Sequence, residues 1–225
     1  MNAVVCVAAP LPNRACQAAL SMAFRLGEGV NLTLLTAGHE PRPPVLETLA
    51  HLGAKRVVHL CDPAFEAADA FGLGMALAAA VRHLHTDVVF AGSAGDKHGF
   101  GLVPAAVAHH WNAHILSGVE DVSWDASADE LMATTRAGGK KLRLAFKPPV
   151  VLTVPESKMG TIELPTTSAS VSIETLNLAQ LQLKPSHLDF GCDRLSSTGP
   201  ATRRSEPLNS IDELVTSWLA PVRPR

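Results

Sequence analysis

The chain has 225 residues, of which 47% are hydrophobic and 18% charged, the composition of an ordinary globular protein with room for one large α/β domain and a tail. The formal net charge is -2 and the pI is near 6.5, so there is no basic excess to neutralise a nucleic-acid backbone or an anionic membrane. Cys6, Cys16, Cys61 and Cys192 are widely spaced with no C-x-x-C pair, which suits buried thiols in a reducing compartment and points to a cytoplasmic protein without a zinc site or a disulfide framework.

The opening MNAVVCVAAPLPNRACQ lacks a basic leader, and its apolar run is too short to span a bilayer, so it reads as a first strand rather than a signal peptide or membrane helix. Short, nearly continuous apolar runs at 3–9, 32–36, 56–60 and 87–91 have the pattern of parallel strands buried on both faces. Between the first two, Ala15, Ala18, Ala19, Met22, Ala23 and Leu26 recur at helical spacing and Gly27 follows as a stop. Pro43 and Pro44 open a second helix with Gly53 beyond it, and a third helix runs from about Glu66 to His85. The alternation predicts a doubly wound, mostly parallel sheet with helices on both faces, whose ligands bind beyond the carboxyl ends of the strands.

After His114 the pattern turns to β-hairpin: 115–124, then 131–135 and 141–146 flanking Ala137-Gly138-Gly139, and Pro148-Pro149 introduces a further strand, VVLTV. Residues 1–155 are thus read as a nucleotide-binding α/β domain with a hairpin. Ser, Thr and Pro accumulate from Pro155, giving an extended partner-contacting arm and linker over 156–209. A docking helix closes the chain over 210–225, with Ser210 and Glu213 as a capping box ahead of Leu214, Val215, Trp218 and Leu219.

The most informative stretch is VVFAGSAGDKHGFGLVPAAVAHHW, a strand that runs into a loop with Gly92, Gly95, Gly99 and Gly101 and then into a helix beginning near Leu102 or Val103. Glycines let backbone N–H groups turn toward an anion, and a helix N-terminus adds unpaired donors and a favourable dipole. Neither the Walker pattern nor G-x-G-x-x-G is present. Gly92-Ser93-Ala94-Gly95 falls short of a nucleophile elbow, and nothing ties Asp121, Asp125 or His187 to Ser93. The pairs His109-His110 and His83 with His85 have no Cys or carboxylate cluster to complete a metal site. No catalytic constellation is legible.

The stretch ETLAHLGAKRVVHLCDPAFEAADAFGLGMALAAAVR, continued by DVVFAG and the glycine loop, PPVVLTV, SIETLNLAQLQL and NSIDELVTSWL, resembles the β subunits of electron transfer flavoproteins over most of the chain. The resemblance implies a heterodimer with an α subunit that holds the redox FAD, this chain binding AMP or a second FAD and helping pass electrons between a dehydrogenase or other redox partner and an acceptor. Carried onto this sequence, the nucleotide contacts of that family fall on Val7, Asn13, Ala37 and the run Ala94 to Val103, including Asp96. Local readings compete, Asn13 as a turn or cap residue and Asp96 as a loop acceptor. The sequence also departs from the family pattern. Lys97-His98 replace acidic residues, Gly101, Leu102 and Val103 stand where Gln, Thr or Val and Gly are usual, and 136–141 is basic where acids are typical. The lysine-rich run of the arm has become Thr167-Ser168-Ala169-Ser170. Two other classes compete: a stand-alone adenine-nucleotide sensor of universal-stress-like fold, and an adenylating enzyme, for which no S-G-G-x-D-S-like loop is found.

Overall fold

The computed structural model describes residues 1–7, 14–27, 29–40, 43–50, 52, 54–93, 101–158 and 171–190. Short β-branched runs make parallel strands because both faces are covered, and the observed order follows that logic: β1 (Asn2–Cys6), α1 (Arg14–Phe24), β2 (Asn31–Gly38), α2 (Pro43–Ala50), β3 (Arg56–Cys61), α3 (Ala70–His83), β4 (Val88–Gly92) and α4 (Leu102–Trp111). The chain then forms β5 (His114–Leu116), β6 (Asp121–Asp125), β7 (Glu130–Ala137), β8 (Lys140–Phe146), β9 (Val150–Val154) and β10 (Ser172–Leu176). Seven strands form one sheet in the order β10-β3-β2-β1-β4-β9-β5, and β6-β7-β8 form a second. Every pairing in the large sheet is parallel and both in the small one are antiparallel. This is the doubly wound α/β architecture with a hairpin extension expected from the pattern.

The core lies in two layers. Ala3, Val5 and Leu34 pack with Ala18, Leu20 and Leu49 on the α1 and α2 side, where Val122, Leu131 and Ala133 of the small sheet cover Val150 and Leu152 in place of another helix. Val4, Leu35, Val58 and Val89 face Ala76, Ala80, Val107 and Trp111 of α3 and α4 on the other side. The β7–β8 turn pairs Ala137 with Lys140 across Gly138 and Gly139, whose φ of 56° and 74° are the left-handed values that a two-residue turn of this twist needs.

Three local differences from the sequence pattern have physical causes. The third helix begins at Ala70, because Asp62 caps a short 3-10 turn, Pro63–Glu66, and Asp69 then caps the helix through Gly72 N–H. The stretch 115–124 breaks at Ser117-Gly118, whose carbonyls accept from Thr135 Oγ1 at 2.9 and 3.0 Å, so its two halves enter different sheets. Within 156–209, residues 171–190 lie on the domain body. Ser172–Leu176 pairs with Arg56–Leu60, and Leu176, Leu178, Leu181 and Leu188 are buried against α3 and β3 residues. Residues 159–170 and 191–225 lie outside the described residues. Among the described residues no helix is long and apolar enough to cross a membrane.

Candidate functional site

From β1 the chain builds outward through β2 and β3 on one side of the sheet, and β4 starts the other side. The connections leaving the adjacent ends of β1 and β4 go to opposite faces, α1 to one layer and α4 to the other. In doubly wound sheets, ligands bind in the crevice at the carboxyl edge where connections diverge in this way.

Val7 extends β1 by donating its N–H to Leu35 O at 2.8 Å and is buried. Ala37 stands half-buried one residue before the end of β2. At the end of β4, a Cβ on Gly92 would come within 2.7 Å of Ala15 Cβ and 2.8 Å of Ala15 C, so glycine lets the first turn of α1 close on the strand. Ser93 N–H then bonds Val154 O at 3.0 Å. Gly101 sits at φ 77°, ψ 16° as the N-cap of α4, with no side chain capping the helix. A Cβ there would stand 3.0 Å from Ser93 O, which places the two ends of the 94–100 connection against each other. Among the described residues no side chain caps α4, and the first N–H groups of such a helix are donors for an anion.

Val7, Ala37, Gly92, Gly101, Leu102 and Val103 are therefore brought to one edge of the sheet by their elements. Asn13, Ala94, Gly95, Asp96 and Gly99 lie outside the described residues. Two features of this edge were not singled out in the sequence. Arg14, the first residue of α1, pairs with Glu156 just past β9 at 3.5 Å, both side chains exposed. Thr36 is 1% exposed, yet among the described residues its hydroxyl has no hydrogen-bond partner. Composition could not separate Thr36 from any other strand threonine, since the signal lies in its missing partner. Burial, then the nearby Cys16 thiol, pushes the Cys6 thiol up to about 12, and burial with Asp62 and Glu40 raises that of Cys61. Both are poor nucleophiles at neutral pH.

The remaining candidates are engaged elsewhere. Asp125 accepts from Ser127 Oγ at 2.6 Å and from two backbone N–H groups, which hold its carboxyl below the usual range. His187 Nδ1 accepts from Lys184 N–H in the turn Pro185–His187, and Asp121 lies opposite Thr134 in the small sheet. His109 and His110 stack with Phe71, at ring separations of 5.7 and 4.5 Å. The His85 carbonyl accepts from Asn2 at the amino edge of the sheet. Among the described residues no group of three or more His, Cys, Asp or Glu could hold a metal ion. A shallow cavity of about 380 Å³ lies on the small sheet, lined by Asp121, Ser123, Met132, Thr134, Lys141 and Arg143.

Residues 10–181 match the model of the electron transfer flavoprotein domain, a stretch that takes in both crevice connections and the small sheet. The chain belongs to the electron transfer flavoprotein domain family. The "Electron transfer flavoprotein subunit beta" of Mycobacterium leprae is 31% identical over 94 residues, 41% of this chain and 35% of that protein. Those of Mycobacterium bovis and Mycobacterium tuberculosis are 32% identical over 94 residues with the same coverage. The aligned stretch spans 35% of the length of these relatives.

Family membership makes a nucleotide the group to test against this edge, and the described residues fit one. Gly92 and Gly101 hold the backbone close, and among the described residues no side chain caps the start of α4 and the buried Thr36 hydroxyl has no partner. Exposed apolar side chains on β8 and β5 give this electron transfer flavoprotein domain a second feature. Leu142 and Leu144 of β8 are 39% and 38% exposed and Ile115 of β5 is 41% exposed, while Arg136 beside the turn pairs with Glu120 at 2.9 Å.

Proposed function

We propose that this chain is the β-type subunit of a heterodimeric electron transfer flavoprotein, holding an adenine nucleotide, AMP or a second FAD, in the crevice between the ends of β1 and β4. The observation that carries the reading is the divergence of the chain there: an all-parallel sheet changes its winding direction between β1 and β4, with Gly92 closing against α1 at the end of β4 and Gly101 at the start of α4. FAD supplies one- and two-electron redox chemistry when bound, whereas AMP supplies none. The protein's own contribution is positional. Backbone donors at the start of α4 face the phosphates, the strand ends around Val7 and Ala37 take the base, and Arg14 at the rim can exchange Glu156 for an incoming anion.

In this reading the principal flavin belongs to an α-type partner, and this subunit acts as scaffold and docking surface without catalytic groups of its own. The exposed Leu142, Leu144 and Ile115 supply apolar area for the partner subunit. The Thr-Ser-Ala-Ser run at 167–170, in place of lysines, lowers electrostatic steering and favours a dedicated redox partner over the generic acyl-CoA dehydrogenases.

Co-expression with the α-type subunit encoded nearest to it, followed by chromatography of the heat-denatured supernatant, tests the site. AMP or FAD released at about one per heterodimer is expected, and its absence from folded complex refutes the assignment. Asp96→Ala should lower occupancy, whereas His85→Ala at the opposite edge should not. The isolated chain should be colourless and the complex yellow. Stoichiometric, reversibly reducible flavin in the isolated chain would overturn the division of cofactors, and a stable homodimer that ignores any α subunit would favour the stand-alone sensor.

A further inference from the structure

We propose that the outer face of the small sheet is a binding site for a small phosphate-bearing polyol, with Lys141 and Arg143 taking the phosphate and Asp121 the hydroxyls. Val122, Leu131 and Ala133 of this sheet pack into the domain core. Because successive strand residues face opposite sides, Asp121, Ser123, Met132, Thr134, Lys141 and Arg143 share the other face, and these six line the cavity of about 380 Å³. That volume lies within the range of small-molecule sites, about 300–1,000 Å³. The six come from β6, β7 and β8 alone, so this site stands or falls apart from the nucleotide crevice.

The register sets the charges of this face apart. Thr134 pairs with Asp121 on one side and Arg143 on the other, so the acid and the guanidinium rise from backbones two strand spacings apart, roughly 9–10 Å, with the buried Thr134 between them. Lys141 lies directly opposite Arg136, a like-charge pairing that destabilises a sheet. Glu120 neutralises Arg136 at 2.9 Å, while Lys141 and Arg143, both exposed, pair with no carboxylate among the described residues. Two neighbouring cations match a dianion, and the planar guanidinium fork bonds phosphate oxygens in pairs. An ionised carboxylate only accepts hydrogen bonds, so Asp121 selects a ligand whose far end donates, and Ser123 and Thr134 supply hydroxyls between the two ends. A phosphate at one end of a short carbon chain and hydroxyls at the other meet that pattern.

Nuclear magnetic resonance titration of the full, isotopically labelled chain at constant ionic strength, read at the amides of Ser123, Thr134 and Arg143, tests the site with two probes, glycerol 3-phosphate and inorganic phosphate. Saturable shifts at those amides are expected with both, glycerol 3-phosphate binding more tightly. Lys141→Gln and Arg143→Gln should each weaken both probes roughly tenfold, the loss of a hydrogen bond from a charged group. Asp121→Asn should cut the preference for glycerol 3-phosphate over inorganic phosphate by roughly threefold or more, with inorganic phosphate bound at least as well as by wild type. Without a probe, both glutamine variants should unfold at or above the wild-type temperature, since neither cation has an ion pair to lose. No saturable shift, or undiminished binding by the glutamine variants, overturns the site, and an unchanged preference in Asp121→Asn overturns its two-ended chemistry. A clear fall in the unfolding temperature of either glutamine variant would make the cations structural groups and overturn it as well.

Discussion

Gly92→Ala probes the junction on which the crevice depends. The added Cβ would lie 2.7 Å from Ala15 Cβ, 2.8 Å from Ala15 C and 3.0 Å from Cys16 N, where carbon contacts are comfortable at about 3.5–4.0 Å. Two of those three atoms are backbone, so no side-chain rotation relieves the clash, and the first turn of α1 must retreat by roughly 1 Å to restore an ordinary contact. Ala15 and Cys16 are 3% and 5% exposed, which leaves little slack. Overpacking of this kind costs about 1–3 kcal/mol, and for a chain of this size each kcal/mol lowers the unfolding midpoint by about 2–4 °C. The variant should therefore melt some 2–12 °C below wild type. It should also carry less nucleotide per folded molecule, because the retreating helix is one wall of the crevice. Calorimetric melting and nucleotide content measured on the same preparation provide the check. A midpoint within about 1 °C of wild type, where the clash predicts at least 2 °C, would show that α1 does not press on β4 and would refute the packing argument.

Gly72→Ala should destabilise more and leave the crevice alone: its Cβ would fall 2.0 Å from Leu188 O. Displacing that segment exposes the buried Leu188 and breaks the Asp69 N–H to Leu188 O and Phe190 N–H to Asp69 Oδ2 bonds, together roughly 3–5 kcal/mol. Urea unfolding gives the loss directly, and a change under about 1 kcal/mol, less than the Leu188 burial alone, would show that the segment is not held there. The His110 imidazole should make acid destabilising. Burial first, then His109 and Arg82, hold it below the ordinary 6.5, so the unfolded chain takes up the proton first. This contribution is complete above pH 6.5 and is lost as the pH falls from there through the folded value. Urea midpoints at neutral pH and at about one unit below the normal imidazole value should diverge less in His110→Asn than in wild type, and an unchanged divergence would remove His110 from the acid response.

The parallel sheet was legible because its signal is local: a strand buried on both faces is a short apolar run whatever its neighbours, and 56–60 and VVLTV both read that way. The carboxyl edge as the place to look for a ligand was legible one level up, since strand–helix alternation points there without any knowledge of side chains. What escaped depended on distant partners. Ser172–Leu176 reads as a polar, Ser- and Thr-rich connection, and it becomes a strand because β3 offers an open edge and Glu174 pairs with Arg56. The break at Ser117-Gly118 is likewise set by Thr135 from another strand. Thr36 is the extreme case, a buried residue whose hydroxyl finds no partner among the described residues.

The glycines of the loop separate into two groups by what they explain. Gly92 is required by the approach of α1, and Gly101 by its φ of 77° and the nearness of Ser93 O. Both requirements hold with or without a ligand, so a Gly-rich appearance at these two positions follows from the fold. Substituting either could lower nucleotide content through strain alone, and such a loss would leave the identity of the binding groups open. The chemical case for a phosphate rests instead on the uncapped start of α4 and on the residues between the two anchors, Asp96 with Lys97 and His98 among them. An Asp96→Ala chain that melts like wild type but loses nucleotide would assign binding to the loop itself, separating ligand recognition from the architecture that Gly92 and Gly101 maintain.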